Sequence, residues 1–513
     1  MTAKLFSCSI NGINCQIVEV ETDIARGLPS FSIVGLGDTS VQESKERVRA
    51  GIKNSGAVLP ASKKIVNLAP AEIKKQGSFF DLATALGILA ASGQIKVDRI
   101  NNAVLVGELS LNGAIRRIHG ALAITQHAKE SGFKKIFLPA DNAMEAAFVD
   151  GVEIYTPGSL KEMIDFCNGH SNLKPRSHID IERYRRGVKE PKSFSIGGIV
   201  GLNKVKRGLC IAAAGGHNVL LSGPPGTGKT VLARAFSELI PEMTKDEIIE
   251  TSKIFSIAGL TREDRPLVVK RPLREVHHSA SLISIVGGGN VPHPGEITLA
   301  HNGILFFDEI TEFSMKTLEA LRQPLENGFI SIGRGHRTCR FPSNFTFVAT
   351  MNPCPCGYDG DPKIPCICTE YQKTQYHKRL SGPIRDRFDI VLDVPNVSMS
   401  DIFCKASREN NSLAVVIEKA SKIQKKRFED ADEAKKNSDM TTEDVKTHCR
   451  LNTSARNFLD RAKQHIKLSN RGYLRTLKIA RTIADMEGSE KVEENHIAEA
   501  LQYKPQNFIS RAV

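Results

Sequence analysis

Eight residues, Gly223-Pro224-Pro225-Gly226-Thr227-Gly228-Lys229-Thr230, constrain this chain more than any other stretch. They lie between a short apolar run, Val219–Leu221, and the helical pattern "VLARAFSELI". A strand, a glycine loop and a helix in that order turn successive backbone N–H groups, and the positive end of a helix, toward one point. That point suits a polyphosphate. Lys229 would reach the β- and γ-phosphates, and the Thr230 hydroxyl would help to hold Mg²⁺.

A phosphate loop alone only binds nucleotide. The hydrolytic part is expected at "GILFFDEI", where four apolar residues of a buried strand lead into Asp308, beside the metal. Glu309 would polarise the attacking water. A third strand, "FTFVATMN", ends in Asn352, suited to the γ-phosphate or its water. The segment "SGPIRDRFD" then supplies Arg385 and Arg387, and a guanidinium supplied by a neighbouring subunit would stabilise the transferred phosphoryl group. Arg471, Arg475, Lys478 and Arg481 follow in a helical region, with Arg471 expected to close over the nucleotide as a lid.

The chain's 513 residues exceed one compact core and suggest about three domains. Residues 1–168 read as a self-contained α/β domain, with strands at Ser30–Gly35, Lys64–Leu68, Ala103–Gly107 and Lys135–Leu138. Residues 169–195 are polar and basic and read as an exposed linker. Residues 196–395 alternate strand and helix, which makes an α/β ATPase core. Residues 396–513 read as a helical lid or bundle. No apolar run approaches the roughly 20 residues that span a bilayer, and the N-terminus lacks a signal-peptide layout. The expectation is a cytoplasmic protein with mostly reduced cysteines and no membrane partner. The net charge of +13 favours a polyanionic partner, nucleic acid first. Trp is absent and aromatics are 6%, so extended base-stacking platforms are not expected.

Three further features bear on ligands. Cys354, Cys356, Cys366 and Cys368 could give four thiolates to Zn²⁺, although C-x-C is tighter than the usual spacing and His377 is a substitute ligand. "GFISIGRGHRTCRF" reads as a hairpin whose Arg334, His336 and Arg337 would meet DNA phosphates, beside a Gly/Pro loop at 284–296 suited to a ring pore. His277 and His278 are adjacent in an extended segment and are expected to diverge, as structural histidines rather than a metal pair.

"GPPGTGKT", "ILFFDE", "ATMNPCPCG", "SGPIRDRFD" and "NRGYLRTLKIARTIAD" together resemble, in this order, AAA+ ATPases of the magnesium-chelatase-like group. "RPLREVHHSASLISIVGGGNVPHPGEITLAHNG" and "LRQPLENGFISIGR" resemble its YifB/ComM branch. The resemblance covers essentially the whole chain. It implies a hexameric ring motor using ATP and Mg²⁺, and a branch-migration helicase acting on DNA in natural transformation. It also implies roles: Lys229 as the Walker A lysine, Asp308 and Glu309 as the Walker B pair, Asn352 as sensor 1, Arg387 as the trans finger and Arg471 as sensor 2. The N-terminal region is similar to the proteolytic domain of Lon. Leu122 stands where the Lon lysine would fall, and Gly77 or Ser78 meets the serine, which implies a non-proteolytic domain. The alternatives are a magnesium-chelatase-type motor acting on a protein partner, a Lon-like ATP-dependent protease and a non-hydrolysing scaffold.

Overall fold

A computed structural model describes residues 2–503 apart from 36, 73–74, 76, 189–195, 290–291, 335–336, 397–409, 430–435 and 467. Two sheets organise the chain. The first has seven strands in the order Ser30–Val34, Lys63–Ala69, Asn14–Ala25, Thr2–Asn11, Ala103–Leu105, Lys135–Phe137 and Glu153–Tyr155. Its centre is a long antiparallel hairpin, Thr2–Asn11 with Asn14–Ala25, turned at Gly12 with φ of 66°. Asn11-Gly12 between alternating apolar residues is a hairpin signal, but neither strand was anticipated. The helix Asp81–Ala91 is buried almost throughout and lies so close to the sheet that a Cβ on Gly87 would sit 2.5 Å from Thr22 Oγ1.

The second sheet has five strands, all parallel, in the order Leu273–Val276, Ile304–Phe307, Thr346–Met351, Val219–Ser222 and Ile390–Asp393. The strands Val219–Ser222, Ile304–Phe307 and Thr346–Met351 are buried at every residue, as expected of a sheet covered on both faces. Parallel strands put all their carboxyl ends on one edge, and the loops leaving that edge build the site.

The described part of the stretch expected to be an exposed linker is mostly exposed, but it is held as a strap. Arg176 N–H donates to the Ile154 carbonyl and Ile179 N–H to that of Ala147, and a helix runs Ile181–Gly187 from an Asp180 cap. Its first residue is buried with Leu122, Met243, Ile248 and Leu267, so it joins the first domain to the second. Apolar residues at 179, 181 and 184, set among charges, supply the grip. Residues 189–195 lie outside the described residues.

Beyond residue 410 every described element is helical, and Asn470–Glu487 is the central one. One apolar cluster joins its Leu477, Ile479, Ala480 and Ile483 to Val219, Leu221 and Ile390 of the second sheet. At its end Asp485 is fully buried between Arg427 (2.7 Å) and Arg481 (3.0 Å), and it also accepts from Asn437 at 2.8 Å. Arg481 is therefore a structural residue, spent on Asp485 and the Glu490 carbonyl. Asp485→Ala leaves two guanidiniums without their counter-charge and is expected to cost about 3–5 kcal/mol. A fall in the urea midpoint of the helical signal at 222 nm measures it; an unchanged midpoint would refute the network's importance.

Candidate active site

The phosphate loop leaves strand Val219–Ser222 and enters helix Lys229–Ser237. Gly226 and Gly228 have φ of 79° and 81°, while a Cβ on either would meet nothing within 4 Å. Backbone conformation, not space, demands glycine there. Gly223 is the reverse case: a Cβ would lie 2.2 Å from the Val394 carbonyl oxygen, so the loop begins wedged against the next strand's end.

Lys229 is buried, and its Nζ donates to the Gly223 carbonyl (2.6 Å), the Pro224 carbonyl (2.8 Å) and Asn352 Oδ1 (3.1 Å). Burial draws its pKa below the ordinary lysine value, against the pull of Asp308 and Glu309. The Thr230 hydroxyl donates to Asp308 Oδ2 at 3.1 Å. Asp308 Oδ1 accepts from the Thr350 hydroxyl at 2.5 Å, and Thr350 Oγ1 in turn accepts the Glu309 N–H at 2.8 Å. Thr350 was missed. It lies two residues before Asn352 on the neighbouring strand, and only cross-strand register reveals its part.

Glu309 has φ of 52° and ψ of 58°, a left-handed conformation rare for glutamate. Its side chain is exposed, while its backbone is fixed by Thr350. Strain of this kind is held where a group must be aimed. The set fits a nucleoside triphosphate and its divalent cation: a buried ammonium, a row of loop N–H groups, and a hydroxyl and carboxylate already in contact. When bound, the cation supplies positive charge to the phosphate oxygens. Lys229, the loop and Asn352, joined to the lysine at 3.1 Å, would orient the phosphates, and the Glu309 carboxylate would be the group to take a proton from water there.

Arg387 and Arg471 lie elsewhere. Both line a cleft of about 590 Å³ with Asn218, Thr346, Asp389 and Lys478. Asn218 and Asp389 immediately precede their strands and Thr346 begins its own, so the cleft opens on the amino edge of the sheet, opposite the phosphate loop. From Thr346 to Asn352 is six residues, about 20 Å of strand. Arg471, expected to close over the nucleotide, therefore lies at the amino edge and away from the phosphate loop of its own chain. The buried face of helix Asn470–Glu487 fixes its rotation, and Arg475, donating to the Asp386 carbonyl at 2.7 Å, pins its first turns to the amino edge. Arg387 is mostly buried and paired with Glu326, while its Nε has no protein partner. Arg385 ends the short helix Gly382–Arg385.

The sulfurs of Cys354, Cys356, Cys366 and Cys368 all lie within 4.8 Å of one another, a group that can hold a metal ion; His377 is not part of it. The expected hairpin forms from Phe329–Arg334 and Arg337–Pro342, with Arg334 opposite Arg337 at its tip. His336 lies outside the described residues. The rings of His277 and His278 do not diverge but lie 4.2 Å apart, because the strand Leu273–Val276 ends just before them and a turn follows. The segment 284–296 carries a small hairpin, Gly287–Gly288 with His293–Pro294. In the first domain the Ser78 hydroxyl donates to Glu108, and Leu122 is wholly buried against the second domain. No described helix is long and apolar enough to cross a membrane.

Known proteins resemble this chain in sequence along its length. Residues 195–402 match the family described as magnesium chelatase, subunit ChlI; residues 20–142 match subunit ChlI of Mg-chelatase; residues 408–504 match its C-terminal family. Competence protein ComM of Haemophilus influenzae is 39% identical over 503 residues, covering 98% of this chain and 97% of that one. The Escherichia coli protein YifB is 38% identical over 494 residues, 96% and 95% of the two chains. Lon protease 2 of Bacillus subtilis is 29% identical over 182 residues, 32% of each chain. With its parallel ATPase sheet, helical C-terminal region and near full-length likeness to both proteins, the chain belongs to the YifB/ComM family of magnesium-chelatase-like AAA+ proteins.

Proposed function

We propose that this chain is an ATP-driven DNA motor of the cytoplasm, assembled as a homo-hexamer, that moves branch points during recombination or uptake of transforming DNA. One observation carries the reading. The phosphate loop with its carboxylates and the cleft with Arg387 and Arg471 lie on opposite edges of one sheet. Neither edge completes the other within one chain, whereas a second copy can lay its basic cleft over the first copy's nucleotide. Repeated head to tail, such a contact closes into a ring. ATP and Mg²⁺ are its substrate and cofactor, with hydrolysis driving movement along DNA.

The net charge of +13 and the hairpin carrying Arg334 and Arg337 support DNA as the polyanion. Arg334→Ala with Arg337→Ala is expected to weaken binding to all DNA sequences alike and to lower the salt slope by about one unit per arginine. Fluorescence titration across a salt series measures both; an unchanged slope would remove the hairpin from the DNA path. Proteolysis is disfavoured, because the position of a Lon-type lysine holds Leu122, packed into a contact between domains.

The decisive experiment follows labelled three- and four-strand junctions with ATP, comparing wild type with Glu309→Gln. Junction movement by wild type alone is the expected result. Hydrolysis indifferent to DNA, with junctions left in place, would overturn the reading.

A further inference from the structure

The loop between Asn352 and helix Glu370–Lys378 has almost no core of its own. From Tyr358 to Glu370 no residue is buried, and Ile364 and Ile367 are 43% and 84% exposed. A segment this poor in apolar contacts needs a cross-link to keep one shape. The cysteines are placed to give it. Cys354 Sγ lies 3.3 Å from Cys356 Sγ and 3.6 Å from Cys366 Sγ, and Cys356 lies 3.6 Å from Cys366. Four thiolates at the usual Zn–S length of about 2.3 Å form a tetrahedron with edges of about 3.8 Å, close to this spread. Cys368 Sγ also accepts the Cys356 N–H at 3.3 Å, the kind of bond that orients a ligand sulfur.

The surroundings say what such a cross-link would brace. Cys354 is wholly buried two residues after Asn352, the acceptor of the Lys229 ammonium. Gly357, with φ of 86°, lies so close to the phosphate loop that a Cβ there would fall 2.6 Å from Pro225 Cδ. On the far side, the Tyr376 hydroxyl and Thr311 Oγ1 are hydrogen-bonded at 2.7 Å.

We propose that Cys354, Cys356, Cys366 and Cys368 bind one zinc ion as tetrahedral thiolates, and that this ion braces Asn352 and the phosphate loop as one unit. Thiolate ligands in tetrahedral array select zinc over hard cations such as Mg²⁺ or Ca²⁺. The brace rests on the nucleotide site alone and is independent of DNA.

The test begins with full-length protein purified without chelator. About one zinc per chain is expected, falling below roughly 0.2 in Cys366→Ser/Cys368→Ser. Cobalt exchanged into the wild type is expected to show sulfur-to-metal charge transfer and the visible bands of a tetrahedral ion. Iron with inorganic sulfide, two disulfides in freshly reduced protein, or no bound metal would each overturn the site. Because the double variant could misfold, the brace is tested on wild type stripped by chelator and then reloaded. Affinity for a fluorescent ATP analogue is expected to fall roughly tenfold on stripping, as pre-organisation is lost, and to return with zinc. Affinity indifferent to zinc would overturn the brace while leaving the site. Neither readout uses DNA, so failure here is distinct from failure of the motor reading.

Discussion

Glu309→Gln is expected to lower kcat for ATP hydrolysis by about 10²–10⁴ while leaving nucleotide affinity within about twofold. The reason lies in how the residue is held. Its position is set by the backbone, through a left-handed φ of 52° and the 2.8 Å bond from its N–H to Thr350, and glutamine retains both. Its side chain is exposed and is not among the hydrogen-bond partners that hold Asp308, Thr230 and Lys229. Removing the charge therefore takes away the base and spares the cradle. Lys229→Ala differs: it deletes a buried cation bonded to two loop carbonyls and to Asn352, so affinity and rate should fall together. Steady-state hydrolysis beside equilibrium titration of a fluorescent analogue separates the two. If Glu309→Gln weakens binding as much as turnover, Glu309 belongs to the cradle and the assignment as base is wrong.

The parts legible in the sequence were those whose chemistry needs neighbouring residues. A phosphate loop must be contiguous between strand and helix, and Asp308 with Glu309 must follow a buried strand, so both could be read without the fold. Thr350 could not. Its hydroxyl joins Asp308 to the Glu309 backbone only because two parallel strands stand in one register, with Phe307 paired to Ala349. Arg471 shows a different limit. Periodicity reveals that Asn470–Glu487 is a helix and which face is apolar, but not the edge of the sheet against which its first turn docks. The strap at 176–187 was hidden by its charge: three apolar residues suffice to anchor it, while composition weighs all the lysines and arginines equally. The opening hairpin was missed although Asn11-Gly12 and the alternation around it were present.

Placing Arg387 and Arg471 on the far edge leads to the sharpest test of assembly. Arg387→Ala alone is expected to cost about 10³–10⁵ in kcat, as for other arginines that reach a transferred phosphoryl group. A loss of that size does not by itself say whose nucleotide the arginine serves. Mixing does. An Arg387→Ala chain keeps its own Glu309, and a Glu309→Gln chain keeps its own Arg387. Where the first binds nucleotide and the second supplies the cleft, one complete site forms. In a ring mixed one to one at random, about one quarter of the interfaces have this arrangement, so roughly a quarter of wild-type hydrolysis should return from two inactive proteins. The same mixture with Arg471→Ala distinguishes the observed placement from a lid over the chain's own nucleotide. A lid acting within one chain leaves every site in the mixture lacking either base or lid, and activity stays at the level of the single variants. Recovery with both arginine variants is the expected outcome, because Arg387 and Arg471 share one cleft about 20 Å of strand away from Asn352. Recovery with Arg387 alone would mean that the lid helix swings across the sheet in the assembled ring.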